Sequence, residues 1–204
     1  IYPLLPAVML VLVVGLLVHL PPKGARAGAG LLAAAWLAMA LITPGRYLAP
    51  VYGPPPAVDA LPAQATPLDL HVDAAVRLVA YRIDTLRVSP GAKLPLHLYW
   101  QADEAPQTDL WVLIELVDES GAFVTYKDGS LSAGRDTTDR WTPGVLIASE
   151  HRLAIPDHAR PGVYRLTLRF HPSAERAWLP LRDDQGRPIG ERFILDPPVE
   201  ILSR

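Results

Sequence analysis

The sequence predicts an all-β antiparallel sandwich, immunoglobulin-like and with seven to nine strands, preceded by a two-helix transmembrane hairpin. Three observations predict this architecture. Two apolar runs fill the first 46 residues, a proline-rich stretch follows them, and strict apolar–polar alternation dominates the remainder. We therefore assign residues 1–46 to the hairpin, 47–67 to a proline-rich membrane-exit linker, and 68–204 to an extracytoplasmic sandwich.

The first apolar run, Leu4 to Leu20, contains His19 as its only polar residue. About 20 apolar residues span a bilayer core, so residues 1–20 are long enough for a transmembrane helix. A signal peptide is the alternative, but the run lacks a charged segment before it and is longer than a typical signal core.

The second apolar run, Ala27 to Ile42, is shorter and rich in alanine and glycine. Gly30, Ala34 and Ala38 recur every four residues, which is typical of membrane helices that pack closely. Lys23 and Arg26 lie in the short loop between the two runs, and the positive-inside rule places such a loop in the cytoplasm. The chain after Ile42 is then expected outside the cytoplasm.

The linker is expected to leave the membrane directly. Pro44 cannot continue a helix, so the second helix should end near Thr43. Arg46, Tyr47 and Tyr52 suit the membrane interface, where basic and aromatic residues anchor a span. Residues 54–67 are rich in proline and should form a stiff, extended spacer.

Alternating segments predict the strands of the sandwich. In residues 93–100 (KLPLHLYW) and 163–171 (VYRLTLRFH), apolar side chains fall on one face, as in half-buried strands. Residues 110–117 (LWVLIELV) are apolar on both faces except for Glu115, which predicts a central strand. Pro197 and Pro198 should confine the last strand to an edge, or delay its start until after them.

Turn signals separate these segments and complete the antiparallel pattern. They are SPG at 89–91, DESG at 118–121, KDGS at 127–130, TPG at 142–144, ARPG at 159–162 and DDQG at 183–186.

Composition excludes several classes of function. Three of the 19 Lys and Arg residues and none of the 21 Asp and Glu residues lie in positions 1–50, so the remainder carries a formal net charge of −5. That balance argues against nucleic acid as a partner, since nucleic-acid binding needs a clustered basic face. The chain has no cysteine, which removes disulfides, thiolate nucleophiles and cysteine zinc sites.

Four segments carry a resemblance to a known kind of protein: residues 76–104, 110–131, 139–171 and 179–195, with the motifs LYWQ, RWTPG and PGVYRL. This succession resembles a β-sandwich at the extracytoplasmic C-terminus of some bacterial polytopic membrane proteins. Many of those resemble multi-spanning glycosyltransferases that use lipid-phosphate sugars. The resemblance implies a last membrane helix that runs through a proline-containing stretch into the sandwich.

The resemblance brings no catalytic residue with it. In those glycosyltransferases the catalytic acidic residues belong to the first extracytoplasmic loop, near the N-terminus. Residues 1–50 of this chain contain no carboxylate. We therefore predict no catalytic, cofactor-binding or metal-binding residues, and no cofactor.

Histidines and carboxylates are expected at the surface or in turns. His71, His97, His151, His158 and His171 show no spacing that converges on one metal ion, and surface or rim positions are favoured. The acidic pairs or singles at 118–119, 128, 136 with 139, and 183–184 adjoin turn residues, where Asp bonds to the backbone. Asp136 with Asp139 is the best calcium candidate, and a weak one.

Tryptophans are the candidates for a sugar-binding surface. Trp100 and Trp141 are expected in the core or at a corner, whereas Trp111 and Trp178 are better candidates for exposure, although buried aromatics are the commoner case. Ser120, Ser130 and Ser132 lack the sequence of a nucleophile elbow.

These observations predict a non-catalytic module in the bacterial cytoplasmic membrane, with residues 68–204 on the extracytoplasmic side. Its expected partners are the lipid bilayer and other transmembrane helices or membrane-complex subunits. It is either the C-terminal part of a membrane glycosyltransferase or a separate accessory subunit that stabilises a larger membrane complex, for example an energy-transducing one. A carbohydrate-binding module is a further alternative.

Overall fold

The structure is a computed structural model, and it describes residues 21–48 and 57–203. The first predicted helix and most of the membrane-exit stretch lie outside the described residues, so the two-helix hairpin stays a prediction. The chain divides into two compact units, Ile1–Val51 and Tyr52–Arg204.

One long helix, α1, forms the described part of the first unit. It spans Pro22–Thr43, and the proline at its first turn costs no hydrogen bond. The α-helix ends at Thr43 as predicted, because Pro44 has no N–H to donate. The chain nevertheless continues through a five-residue π-helical turn, Pro44–Leu48, which the sequence did not indicate.

The described part of the second unit, residues 57–203, contains eleven strands in two sheets. The strands are β1 Thr66–His71, β2 Val76–Ile83, β3 Arg87–Val88, β4 Lys93–Ala102, β5 Leu110–Asp118, β6 Phe123–Ser130, β7 Leu146–Ala154, β8 Gly162–Pro172, β9 Leu181–Arg182, β10 Pro188–Gly190 and β11 Phe193–Ile201. The six-stranded sheet has the order β10-β9-β1-β2-β4-β7, and the five-stranded sheet has the order β3-β11-β8-β5-β6.

The two sheets share one apolar core. Leu94, Leu96 and Leu98 of β4 are buried at alternate positions, as the sequence predicts, and the inward residues of β5 and β8 do the same in the other sheet. Trp100 is fully buried, and its ring meets Phe170 edge-on with 5.9 Å between centroids. The fold class is therefore a β-sandwich, as predicted.

The finer description of the sandwich needs correction. Eight strands have six or more residues, and the excess over the predicted seven to nine comes from the short strands β3, β9 and β10. The β3–β11 pair is parallel, so the sandwich is not wholly antiparallel. The orders β2-β4-β7 in one sheet and β11-β8-β5-β6 in the other follow the A-B-E and G-F-C-C′ orders of an immunoglobulin domain, so the strand order does not contradict the prediction of an immunoglobulin-like sandwich.

Most turn signals were correct. Gly91, Gly121, Gly144 and Gly186 have positive φ, which glycine adopts without steric cost. The KDGS signal was wrong, because residues 127–130 lie inside β6 and pair with β5. Tertiary contacts of Asp128, described below, replace the local turn there.

Pro197 and Pro198 lie inside β11, which neither starts after them nor stays at an edge along its whole length. The pairing of β11 with β8 shifts register between Leu195 and Val199, and the prolines occupy that irregular stretch. Tyr81 of the opposite sheet donates its hydroxyl to the Asp196 carbonyl oxygen at 2.5 Å. This bond gives the Asp196 carbonyl oxygen a partner where the pairing of β11 with β8 is irregular.

Residues 57–65, which we name the strap, cross the outer face of the six-stranded sheet. Ala57 bridges Ile147 of β7, and the Val58 N–H donates to the Leu146 carbonyl oxygen at 2.9 Å. The chain enters β1 at Thr66, and β2 and β4 lie between β1 and β7. Because the core fills the inner face, the strap passes over the outer one. Tyr99 points outward from β4 and is nevertheless buried, which agrees with this path.

Tyr164 closes the corner before β8. Its hydroxyl donates to the Arg160 carbonyl oxygen at 2.8 Å, four residues upstream, and the ring is buried. This is the geometry of the tyrosine corner of β-sandwiches. The PGVYRL motif thus has a structural role.

We predict that Tyr164→Phe lowers the free energy of unfolding by about 1 kcal/mol, since it removes one buried hydrogen bond. Urea denaturation of residues 52–204 measures the change. Tyr126→Phe is the matched control, because the Tyr126 side chain is 57% exposed; it should shift stability by less than about 0.5 kcal/mol. Equal effects of the two variants would contradict the corner assignment.

Candidate aromatic–arginine surface

The outer face of the five-stranded sheet carries the most varied group of polar and aromatic side chains among the described residues. Strand register places Trp111 of β5 opposite His171 of β8, and Leu113 between Asp128 of β6 and Arg169 of β8. These positions alternate with the buried ones, so all five side chains lie on the outer face.

His171 is buried at the centre of this group although it lies on the outer face. Its Nδ1 lies 2.8 Å from the Pro172 carbonyl oxygen and 3.2 Å from that of Glu175, and its Nε2 lies 3.1 Å from Asp128 Oδ1. These contacts hold the segment after β8 against the sheet. The expectation that His171 is a surface histidine was therefore wrong.

That segment brings Trp178 back over the sheet. The Trp178 ring meets His171 edge-on at 5.4 Å, and the guanidinium carbon of Arg169 lies 3.7 Å from the ring centroid. Trp111 also lies beside His171, with 6.2 Å between ring centroids. Both tryptophans are half-buried, so part of each remains open to solvent. The structure therefore brings together the two tryptophans that the sequence singled out for exposure.

The charges in this region differ in exposure. The Asp128 side chain is 13% exposed and pairs with Arg176, which is 79% exposed, at 3.3 Å. Nearby on the same face, Glu115 is 12% exposed and pairs with Arg192, which is 48% exposed, at 3.2 Å. Asp128 and Glu115 are thus largely buried while Arg176 and Arg192 face solvent. The Arg169 pair is the reverse: Arg169 is 20% exposed and lies 3.6 Å from Glu191, which is 56% exposed. We name Trp111, Asp128, Arg169, His171, Arg176 and Trp178, with Arg192 beside them, the aromatic–arginine surface.

The two core tryptophans lie where the sequence predicted. Trp100 and Trp141 are buried, with 6.4 Å between ring centroids. Trp141 Nε1 is the one buried side-chain polar atom without a hydrogen-bond partner in the part of the chain that the structure describes. It lies in the core cluster, away from solvent.

A second polar group lies inside the core and joins both sheets. Trp100 Nε1 donates to Ser149 Oγ at 2.9 Å, and His151 Nε2 lies 3.2 Å from Ser149 Oγ and 3.3 Å from the Leu131 carbonyl oxygen. Burial and the positive charge of Lys127 lower the pKa of His151 from 6.5 to about 4. The predicted surface position of His151 was wrong, and the buried Ser149–His151 pair offers no access to a substrate.

The remaining histidines agree better with the sequence. His158 is exposed, whereas His71 and His97 lie on outer faces with partial burial. His97 Nε2 lies 3.0 Å from Asp84 Oδ2. Burial is the largest single influence on the pKa of Asp84 and raises it, but the contacts with His97 and Arg82 together outweigh burial, so the pKa is lowered.

The acidic turn residues bind their own backbone. Asp118 Oδ1 accepts hydrogen bonds from Ser120 and from the Ala122 N–H, and Asp183 accepts from the N–H groups of Gln185 and Arg187. These bonds to the ionised form lower the pKa of both carboxyls.

Asp136, of the candidate calcium pair Asp136 and Asp139, already has protein partners. Asp136 Oδ1 accepts from the Thr137 N–H and lies 3.7 Å from Arg140 Nη1, while Asp139 is exposed. Across residues 21–48 and 57–203, no three His, Asp or Glu side chains converge in a way that could hold a metal ion. The predicted turn serines Ser130 and Ser132 bond to each other and to the Asp136 carbonyl oxygen.

Comparisons with known proteins find only distant likenesses. No protein-family model and no curated protein matches the chain. A structure of the C-terminal domain of Wzt is 11% identical, with 70% of this chain and 88% of that one aligned and a TM-score of 0.43. A family 123 glycoside hydrolase from Clostridium perfringens is 10% identical over 58% of this chain and 22% of that one, with a TM-score of 0.36.

A third structure, the CARDB domain of a Pyrococcus furiosus protein in complex with di-metal ions, is 9% identical. The alignment covers 71% of this chain and 95% of that one, with a TM-score of 0.32. All three TM-scores lie below 0.5, so none of these likenesses assigns a function to this chain.

The buried His151 predicts a specific pH dependence of stability. Its folded pKa lies below its unfolded value of 6.5, so the unfolded chain binds the proton more tightly. Stability is full above pH 6.5 and falls as the pH drops from 6.5 to about 4, by up to about 3 kcal/mol.

Urea unfolding of residues 52–204 from pH 7.5 to pH 4 measures this loss. His151→Gln should flatten the curve over that range, whereas the matched variant His158→Gln, at an exposed histidine, should leave the slope unchanged. A wild-type curve that is flat down to pH 4 would show that His151 titrates normally.

Proposed function

We propose that this chain is a membrane-anchored, non-catalytic module that fixes a β-sandwich to a larger membrane protein or complex on the extracytoplasmic side. One observation carries the proposal: a long apolar helix with exposed side chains precedes a β-sandwich in the same chain. The segment Arg26–Arg46 is long and apolar enough to cross a membrane, and none of it is buried.

The exposure of α1 supports a lipid environment. Leu31, Trp36, Leu37, Met39 and Leu41 are all more than half exposed. The 22 residues of α1 extend about 33 Å, comparable to a hydrocarbon core of about 30 Å. A helix that is apolar all round is stable in lipid or in a protein interior, not in water. A signal sequence passes the same test of length and composition, and the experiment below distinguishes the two.

The extracytoplasmic position follows from the charges around α1. Lys23 and Arg26 lie at its start and Arg46 just after its end. The positive-inside rule then puts the start of α1 in the cytoplasm and the sandwich on the opposite side. The acidic formal charge of the remainder is compatible with this placement.

The sandwich supports a binding role better than a catalytic one. Within the described residues, the serine–histidine pair at 149 and 151 is inside the core, and the exposed cluster consists of aromatic and arginine side chains. Trp and Arg side chains bind ligands through ring packing and charge-assisted hydrogen bonds. Sequence resemblance favours the C-terminal part of a lipid-phosphate-sugar glycosyltransferase as the larger protein, and a separate accessory subunit is the alternative.

The two settings differ in what accompanies the chain. Membrane extraction in a mild detergent followed by native electrophoresis should show the chain in a larger assembly if it is an accessory subunit. Further hydrophobic spans encoded before Ile1, with acidic residues in the first outer loop, would establish the glycosyltransferase setting instead.

We predict that the sandwich is accessible from outside the cell membrane. The chain has no cysteine, so single cysteines can be introduced at Arg152, whose side chain is 62% exposed, and at Lys23. In intact spheroplasts a membrane-impermeant maleimide should label Arg152→Cys and leave Lys23→Cys unlabelled until the membrane is permeabilised.

Carbonate washing should leave both variants in the membrane fraction. The opposite labelling pattern would reverse the orientation. Release of Arg152→Cys into the soluble fraction, with loss of the N-terminal residues, would identify a cleaved signal sequence and contradict the anchor.

A further inference from the structure

We propose that the aromatic–arginine surface binds an acidic glycan, that is, a chain of sugars that bear carboxylate or phosphate groups. The proposal goes beyond the anchoring role and does not depend on it, because every residue involved belongs to the sandwich. It rests on the grouping of two half-buried tryptophans with solvent-facing guanidinium groups.

The tryptophans supply the surface for the sugar rings. The C–H groups of a pyranose ring pack against an indole face, which is apolar and electron-rich, and they gain burial without losing the ring's hydroxyl groups to an apolar medium. Trp178 is held in place by Arg169 on its face and by His171 at its edge, so little side-chain entropy is lost on binding. Trp111 is fixed similarly, since its Nε1 donates to Asp109 Oδ2 at 3.1 Å.

The arginines supply the preference for an acidic ligand. A guanidinium group carries five N–H donors, and Arg176, which is 79% exposed, donates one hydrogen bond to Asp128 through Nη2. Guanidinium donors match the geometry of a carboxylate or phosphate. The carboxylate partners of Arg176 and Arg192 are largely buried, so at these two positions the exposed charge is that of the arginine.

The same observations argue against the two other kinds of partner for such a surface, a protein and a lipid membrane. A protein interface has a predominantly apolar centre, whereas here an ion pair, Asp128 with Arg176, adjoins the aromatic group. A lipid surface attracts Lys and Arg together with inserted apolar side chains, but both tryptophans here are half-buried against the sandwich itself. An anionic ligand made of sugar rings contacts both the tryptophans and the arginines of the surface.

The test uses the full chain in phosphatidylcholine nanodiscs and isothermal titration calorimetry. The acidic probes are oligogalacturonate, a hyaluronan oligosaccharide and a phosphate-bearing teichoic acid, and the neutral control is fully methyl-esterified oligogalacturonate. At least one acidic probe should bind, and for the uronate the affinity should be at least about tenfold higher than for its methyl ester, since charge-assisted bonds to arginine are lost in the ester.

Three variants locate the site. Trp178→Ala should weaken binding at least about tenfold and Arg176→Gln at least about fivefold, as expected for loss of a stacking ring and of a charged donor. Arg152→Gln, at an exposed arginine of the other sheet, should bind as the wild type does. Because Arg176 is 79% exposed, its variant keeps the fold, so its result stands even if Trp178→Ala destabilises the loop.

Several results would overturn the proposal. It fails if none of the three acidic glycans binds, if the methyl ester binds as well as the acid, or if Arg176→Gln binds like the wild type. The remaining measurement is flotation with phosphatidylglycerol vesicles. If the chain binds these vesicles but no glycan, and Arg176→Gln abolishes that binding, the arginines bind anionic lipid instead. A chain that binds glycan but fails the labelling test above would retain this site and lose the anchor.

Discussion

The contact between Trp100 and Phe170 is the interaction on which the rest of the sandwich depends. Each residue lies at the inward position of a central strand, one in each sheet, and their edge-to-face packing sets the two sheets against each other. The Trp100 indole N–H also donates to Ser149 Oγ, and His151 links Ser149 to the Leu131 carbonyl oxygen just after β6. A buried ring of this size fixes strand register, because a one-residue slip would place it in solvent. The positions of all outward residues, including those of the aromatic–arginine surface, follow from that register.

Local pattern was sufficient for the strands that face the core. Alternation in residues 93–100 and 163–171 predicted the buried positions of β4 and β8, because burial of one face imposes a period of two on the sequence itself. The glycine turns at 91, 121, 144 and 186 were equally legible, since positive φ selects glycine.

Features that depend on residues distant in sequence could not be predicted from local patterns. Asp128 follows Lys127 and precedes Gly129 and Ser130, a local turn signal, but its contacts with His171 and Arg176 come from segments more than forty positions away. His171 points outward from β8, and only the loop after β8 buries it, through the Pro172 and Glu175 carbonyl groups. His151 differs, because it shares the inward face of β7 with Ile147 and Leu153 and is buried by the register of that strand. The pairing of the two tryptophans was missed for the same reason: each was singled out, but nothing in the sequence joins positions 111 and 178.

The strap has a consequence for how the chain tolerates cutting. It covers the outer edge of β7 at Ile147, while Thr125 of β6 covers the Ala154 end through its hydroxyl. A protease that cut before Ala57 would release a sandwich with this edge protected. A cut after Val58 would free the backbone groups of β7 to pair with another chain, and exposed strand edges of this kind nucleate aggregation. Release of the sandwich with this edge of β7 still covered is therefore confined to cleavage on the N-terminal side of the strap.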